Sequence, residues 1–303
     1  MRVAIAGLGA VARYLIEELP KEGHEVVGLT RSKKSWLDET VPQRVTDYSA
    51  AALDKQLEDC DAVVSTITGH SPTFLDDHLA LLGACQRSSK CKRFLPSSWS
   101  GNYEEVTDQP LFVGPQLEIL LEKLRGQSDV NWTYFCQGWM VDYILPRQQR
   151  YLEDLGERWV QDYSTKTFTL YGNQRQEVDF TSSRDATRAV AVLLNHDAKD
   201  WEEFTCVSGQ RMSWYQLWEF VKKHDPEYKL KKKSLAQSIK QLIANENEAS
   251  VAAAMYEIMG NSEALAFPPG KVDRHREKFF KGLKFRTLDE IVAEAKVNPT
   301  RVI

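Results

Sequence analysis

The sequence predicts an α/β protein: a doubly wound parallel sheet over residues 1–146, followed by a smaller, mostly helical lobe over 147–303. Three observations carry that expectation. Short apolar runs alternate with helix-like stretches through the first half, a glycine-punctuated turn joins the first such pair, and the alternation changes character after Pro146. Strands separated by helices need crossover connections, which align the strands in parallel and place helices on both faces.

The elements follow in order. "RVAIAG" is a short apolar run read as a strand, "AVARYLIEEL" has helical periodicity, and "HEVVGLTR" is a second apolar run. "SAAALDKQLEDC" reads as helix, "DAVVSTIT" as strand, "TFLDDHLALLGACQRS" as helix and "KRFLPS" as strand. "LEILLEKLRG" is then helix and "NWTYFCQGW" strand. Beyond Pro146, "RWVQDYSTKTFTLYGNQRQEVDFTS" mixes Tyr, Thr, Phe and Val with turn residues, which suits short strands or a hairpin. "SRDATRAVAVLLNH" and "SWYQLWEFVKKH" read as amphipathic helices, and "SLAQSIKQLIANENEASVAAAMYEIMG" as one or two more, ending at Gly260. The acidic run "LEDLGERW" and the cluster Trp214, Tyr215 and Trp218 read as amphipathic helix and core, with Trp214 and Trp218 on one helical face. Some segments of this second half are expected to return to the sheet.

Bulk composition narrows the function classes. The chain has 303 residues, 42% hydrophobic and 27% charged, the balance of an ordinary globular protein. A formal net charge of −4 gives no basic field for nucleic acid or an anionic membrane. The run "KLKKK", with Lys229 and Lys231 to Lys233, reads as a solvated face. Cys60, Cys85, Cys91, Cys136 and Cys206 form no CxxC pair, so reduced thiols are expected and neither a zinc site nor a redox dithiol. No His, Cys and carboxylate set has metal-ligand spacing, so no metal is expected. The opening apolar run is broken by glycines too early for a signal peptide, and no stretch reaches membrane-spanning length. The expected setting is cytoplasmic, as a monomer or homodimer with a small-molecule substrate and no nucleic-acid or membrane partner.

The chemistry begins at Gly7, Gly9 and Ala12, spaced as GxGxxA between the first strand and helix. Gly7 permits a tight turn, Gly9 lets the backbone approach a pyrophosphate, and a small residue at 12 lets the helix pack close to the sheet. The first-turn N–H groups around Ala10 and Val11, and the positive end of the helix dipole, then point at the phosphates. An acidic residue ending the second strand would favour NAD; here stand Thr30, Arg31, Ser32, Lys33 and Lys34. A guanidinium with hydroxyls suits a 2′-phosphate, so the expected cofactor is NADP(H). Thr66, Ile67 and Thr68, in "STITGH", sit where backbone usually lines the adenine and nicotinamide riboses. Pro96 and Ser97, ending "KRFLPS", are placed against the same cofactor.

"CKRFLPSSWSGNYEE" resembles the "KRF-x-PSEFG" segment of the NmrA-like and isoflavone-reductase-like families, which are atypical short-chain dehydrogenases. "WTYFCQGWMVDYILP", "YGNQRQEVDFTSSRDATRAVAVLL" and "FTCVSGQRMSW" resemble further segments of fungal NmrA-like proteins, so the resemblance spans most of the chain. It implies an NADPH-binding domain with a small lobe closing over a substrate cleft. In the family's reductases a lysine near the start of the helix after "PSEFG" contacts the nicotinamide ribose and assists proton transfer. Aligning Leu117 to Leu121 with that helix puts Gly114 at the lysine position, with Lys123 more than two turns later. Ser98 replaces the Glu of "PSEFG", and Trp99 stands at the Phe position. The Tyr-x-x-x-Lys pair of conventional short-chain dehydrogenases is missing as well.

Ser98 and Tyr103 are the remaining candidates for a catalytic hydroxyl, each also readable as a local structural group. His70, Gln137, Trp139 and Tyr143 are expected to face the cleft, where Trp139 would suit an aromatic substrate. The residues point to an NADPH-dependent reductase of a small hydrophobic or aromatic metabolite, acting on a carbonyl, imine or conjugated double bond, with secondary metabolism as the expected setting. A non-redox cyclase, isomerase or dehydratase on the same scaffold, or an NADP(H)-sensing regulator without turnover, are the alternatives left open by Gly114.

Overall fold

Six strands, all parallel, build the central sheet of the computed structural model, which describes residues 1–99, 101–106, 114–268 and 270–303. They are β1 (Arg2–Ala6), β2 (Glu25–Thr30), β3 (Gln43–Val45), β4 (Ala62–Ser65), β5 (Arg93–Leu95) and β6 (Asn131–Trp132), in the order β3-β2-β1-β4-β5-β6. The register runs from Arg2↔Glu25 to Ala6↔Leu29 on one side of β1 and from Val3↔Ala62 to Ala6↔Ser65 on the other. Side chains alternate between the two faces, and helices cover both. Val3 and Ile5 join one core with Leu15, Val190 and Leu194, while Ala4 and Ala6 join another with Leu53, Leu81 and Phe94. The helices are α1 (Ala10–Glu18), α2 (Ala50–Leu57), α3 (Phe74–Arg87) and α4 (Gly114–Arg125). This is the Rossmann arrangement, and the strand order reverses between β1 and β4, which opens a crevice at the carboxyl ends of the strands.

The expected single strand "NWTYFCQGW" is three pieces. After β6 the chain leaves the sheet, and β7 (Tyr134–Cys136) pairs instead with β12 (Phe204–Cys206). Thr133 marks the break, its N–H still donating to Phe94 O at 3.3 Å while its hydroxyl lies 2.8 Å from Thr205 Oγ1. Gly138, at φ +71°, then turns the chain against Asp179 O and aims β8 (Trp139–Met140) into the second lobe.

In that lobe β9 (Gln161–Asp162) and β10 (Thr167–Tyr171) form the expected hairpin. β11 (Glu177–Thr181) runs between β8 and β13 (Gln210–Ser213). Helix α5 (Ser183–Leu194) returns to pack on the Rossmann core, and α6 (Trp214–His224) starts at a Ser213–Gln216 capping box. The "KLKKK" run is β14 (Lys229–Lys233), a strand parallel to β10; its side chains are exposed except Lys233, which pairs with Glu257 at 2.6 Å. Two helices follow, α7 (Leu235–Ala244) and α8 (Glu248–Gly260), then α9 (Lys271–Phe279) and α10 (Leu288–Val297). Helix α8 ends at Gly260, where Trp214 Nε1 donates to the Gly260 carbonyl at 2.6 Å.

Two expectations for this half need correction. "LEDLGERW" is no amphipathic helix: it holds one short turn, Gly156–Arg158, because Gly156 sits at φ +58° in the left-handed region. Tyr215 is exposed and outside the core that buries Trp214. Among the described residues no helix is long and apolar enough to cross a membrane.

Candidate active site

The crevice at the β1–β4 switch point continues into a cavity of about 410 Å³ that reaches the second lobe. Its sheet side is built by Gly9, Ala10 and Val11, by Thr66–His70 after β4, and by Ser97–Trp99 after β5. Gly7 holds φ +90°, and a Cβ there would lie 2.9 Å from Ile67 N, so the first turn cannot accept a side chain without strain. Gly9 is the opposite case. A Cβ built on it meets no protein atom within 4 Å, so Gly9 faces open space at the cavity wall. Gly9 is also the N-cap of α1 and offers no side-chain cap, which leaves the first-turn N–H groups without that partner. Ala12 is fully buried against the sheet, the close packing its size permits. This cradle fits a dinucleotide pyrophosphate.

At the end of β2, Thr30 is buried and donates to Ser32 O at 2.8 Å, which curls the chain. Arg31 reaches across to α3 and pairs with Asp77 at 2.7 Å, with its guanidinium 4.8 Å from the Tyr48 ring. Lys34 lies beside it, Nζ 3.4 Å from Ser32 Oγ. Thr30, Arg31, Ser32 and Lys34 stand outside the main cavity, at the edge where the adenosine of a dinucleotide bound to such a sheet would lie.

Thr66 donates its hydroxyl to Gly7 O, which ties the β4 loop to the glycine turn. Ser97 spends its N–H on His78 Nε2 at 3.1 Å, and Pro96 is buried behind it and does not line the cavity. His78 is itself fully buried, and that burial pushes its pKa down to about 4, so the ring is neutral and Nε2 accepts. Ser98 lines the cavity, but its hydroxyl donates to Phe135 O at 3.0 Å. Trp99 anchors the same loop by donating Nε1 to Ser65 O at 2.7 Å. Tyr103 and the exposed His70 also line the cavity.

The lobe side contains Gln137, Trp139 and Tyr143, as the sequence suggested, together with residues it did not single out: Met140, Leu152, Leu155, Arg158, Tyr256 and Met259. Met140 directly follows Trp139, while the other five come from segments with no motif, brought in only by tertiary packing. Trp139 stacks near Trp159, Trp214 and Tyr256 with ring centroids 5.6–5.7 Å away. Burial raises the phenol pKa of Tyr143 and Tyr256, so both remain neutral donors. Gly114 opens α4 and is buried, while Lys123 is exposed in that helix's last turn. No lysine lines the cavity among the described residues. Residues 110–113 of the same segment, and Ser100, lie outside the described residues.

The fold and the glycine cradle define a dinucleotide-binding protein of Rossmann type. The chain matches the family described as NAD(P)H-binding over residues 7–165. It is 36% identical, over the full length of both chains, to "Oxidoreductase swnR" of Metarhizium robertsii. It is 26% identical over 155 residues, 47% of this chain and 49% of the relative, to "Isoflavone reductase homolog A622" of Nicotiana tabacum. Among solved structures, the binary complex of leucoanthocyanidin reductase and NADPH from Vitis vinifera superposes with a TM-score of 0.75 at 18% identity, covering 98% of this chain and 100% of that one. The chain belongs to the NAD(P)H-binding, isoflavone-reductase-like and NmrA-like family of oxidoreductases.

Proposed function

We propose that this NAD(P)H-dependent reductase prefers NADPH and reduces a carbonyl, imine or conjugated double bond in a small hydrophobic or aromatic metabolite. The observation that supports it is the shared cavity: the phosphate cradle at Gly9–Val11 and the aromatic chamber of Trp139, Tyr143 and Tyr256 are walls of one space. When bound, NADPH supplies a hydride, and one proton from a hydroxyl or water completes the reduction of the acceptor. Gly9 and the first turn of α1 hold the pyrophosphate, Arg31 and Lys34 meet the 2′-phosphate, and Thr66–Thr68 line the path between the riboses. The second lobe excludes water from the acceptor.

Ser98 already donates its proton to Phe135 O, so its lone pairs, not its hydrogen, face a ligand. Among the cavity hydroxyls, Tyr103, on the loop after β5, is the one proposed to deliver the proton. Gly114 stands where the resemblance places the family lysine, so no lysine from the first turn of α4 assists the proton transfer, which suits an acceptor such as an imine that needs little acid assistance.

The test is purified protein with NADPH and extracts of its own cells, followed at the reduced-nicotinamide absorbance. Substrate-dependent oxidation supports the reading, with Tyr103→Phe lowering kcat by about 10²-fold or more. Product formed equally well without NADPH would overturn it.

A further inference from the structure

The polar groups of the chamber define its ligand more narrowly than hydrophobicity does; the argument rests on the reductase reading. The chamber is mostly apolar, and among the described residues no aspartate or glutamate lines it. Three polar groups on its lobe side stand out.

Gln137 is fully buried. Its Nε2 donates to Gly138 O at 3.1 Å, but Oε1 has no hydrogen-bond partner. Trp139 is 6% exposed, and its Nε1–H has no partner either, unlike the indoles of Trp99 and Trp214, which both donate to carbonyls. Leaving a buried donor or acceptor unpaired costs about 1–3 kcal/mol, so two such atoms on neighbouring residues of one cavity wall call for a ligand.

The third group is Arg158, the only permanently charged residue lining the cavity among the described residues. Other arginines of its segment are neutralised: Arg147 pairs with Glu153 at 2.8 Å and Arg150 with Asp154. Arg158 has no carboxylate partner among the described residues. Its Nε donates to Leu155 O at 3.0 Å, and the guanidinium sits 5.9 Å from the Tyr256 ring. The left-handed Gly156 just before it turns the chain so that this arginine, and not its neighbour Glu157, lines the chamber.

We propose that the substrate carries a carboxylate on a small ring system: Arg158 holds the carboxylate, the ring packs against Trp139, Tyr143 and Tyr256, and a ring N–H or O–H meets Gln137 Oε1. A single guanidinium matches a planar carboxylate in bidentate fashion, whereas a phosphate would be left with most of its charge facing an apolar wall. Trp139 Nε1–H supplies the complementary donor for an acceptor atom of the same ligand.

Matched probes test this by calorimetry on the protein saturated with NADP⁺: indole-2-carboxylate, its amide, and benzofuran-2-carboxylate, which lacks the ring N–H. The acid should bind about 10- to 100-fold more tightly than the amide, the range of a charge-assisted hydrogen bond. Arg158→Gln should erase that gap without weakening the amide, and Arg158→Lys should restore part of it. Gln137→Leu should weaken the indole acid and spare the benzofuran acid. Arg158 lies on a short surface turn, and melting curves verify that each variant is folded. Equal affinity for acid and amide, no binding of any acid, or an acid preference that survives Arg158→Gln would each overturn the proposal. NADPH binding and oxidation, read by nicotinamide fluorescence on the same samples, judge the reductase reading separately: their failure would remove that reading while the acid preference stood.

Discussion

Arg31 Nη2 donates to both carboxylate oxygens of Asp77, at 2.7 and 2.9 Å, so a buried carboxylate on α3 tethers a half-exposed guanidinium at the end of β2. Thr73 Oγ1 accepts from the same nitrogen at 2.9 Å. The tether fixes the arginine before any ligand arrives, which lowers the entropy lost when it meets a phosphate. Arg31→Ala is therefore expected to raise the Kd for NADPH about 10- to 100-fold and leave NADH little changed. Asp77→Asn loosens the tether without removing the charge, and the loss should be smaller. Titrations with both dinucleotides decide it; an equal loss for NADH would place Arg31 outside the 2′-phosphate contact.

The two glycines of the opening turn should separate stability from binding. Gly7→Ala forces a side chain into φ +90° and against Ile67 N at 2.9 Å, so it should destabilise the fold by about 1–3 kcal/mol. A Cβ at Gly9 meets no protein atom within 4 Å, so Gly9→Ala should cost the unliganded fold under about 1 kcal/mol, and Gly9→Val should weaken NADPH binding by an order of magnitude or more. Denaturant melts and dinucleotide titrations on these variants check the contrast. A Gly9→Val protein with wild-type affinity would mean that the cradle does not hold the pyrophosphate.

That turn was also the most legible part of the chain. Gly7, Gly9 and Ala12 act through backbone geometry within a few residues, so their spacing alone exposes the cradle. The strands β1, β2, β4 and β5 were legible for a related reason: buried on both faces, they are short continuous apolar runs. "NWTYFCQGW" misled because its aromatic and β-branched residues read as one strand while its hydrogen bonds divide among three partners, a division set by Phe94, Thr205 and Asp179 far along the chain. The lobe side of the cavity was half legible. Gln137, Trp139 and Tyr143 follow a strand and could be placed, but Arg158, Tyr256 and Met259 reach the chamber from a turn and a helix with no motif of their own. Arg158 sits inside "LEDLGERW", where acidic residues suggested a helix and only the backbone sign of Gly156 shows the turn.

His78 gives a pH dependence. Its folded pKa, about 4, lies below the ordinary 6.5 because burial disfavours the charged ring; in the neutral ring Nε2 accepts from Ser97 N–H. Above about pH 6.5 both folded and unfolded states hold the neutral ring, and His78 adds no pH term. As pH falls from 6.5 toward 4 the unfolded state takes up the proton first, so stability is lost over that window, by about 3 kcal/mol in all. His78→Gln can keep both hydrogen bonds without titrating, and its acid limb should be flatter. Denaturant unfolding at pH 7, 5.5 and 4.5 measures it; parallel pH curves for the two proteins would show that another group sets the acid limit.

The "SRDATR" segment marked the family resemblance, and its aspartate acts in the structure as a clamp. Asp185 is fully buried in the first turn of α5, where it accepts from the Arg286 backbone N–H at 2.7 Å and from Arg286 Nε at 3.0 Å. Arg286 also donates to Ser182 Oγ, the cap of α5, at 2.9 Å, and to Glu294 on α10 at 2.6 Å. One ion pair thus joins the helix that covers the Rossmann sheet to the last helix of the chain. Asp185→Ala leaves the largely buried Arg286 guanidinium with Glu294 as its one remaining carboxylate among the described residues, so it should destabilise the protein by about 3 kcal/mol. Arg286→Met should cost less, because Asp185 keeps a backbone donor and the favourable end of the α5 dipole. The double variant should fall well short of the sum of the single losses. Because neither side chain lines the cavity, the KM for NADPH below the melting temperature should not move. A double-mutant cycle read by denaturant unfolding, with KM measured alongside, tests both halves: additive losses would deny the clamp, and a raised KM would give Asp185 a part in the site.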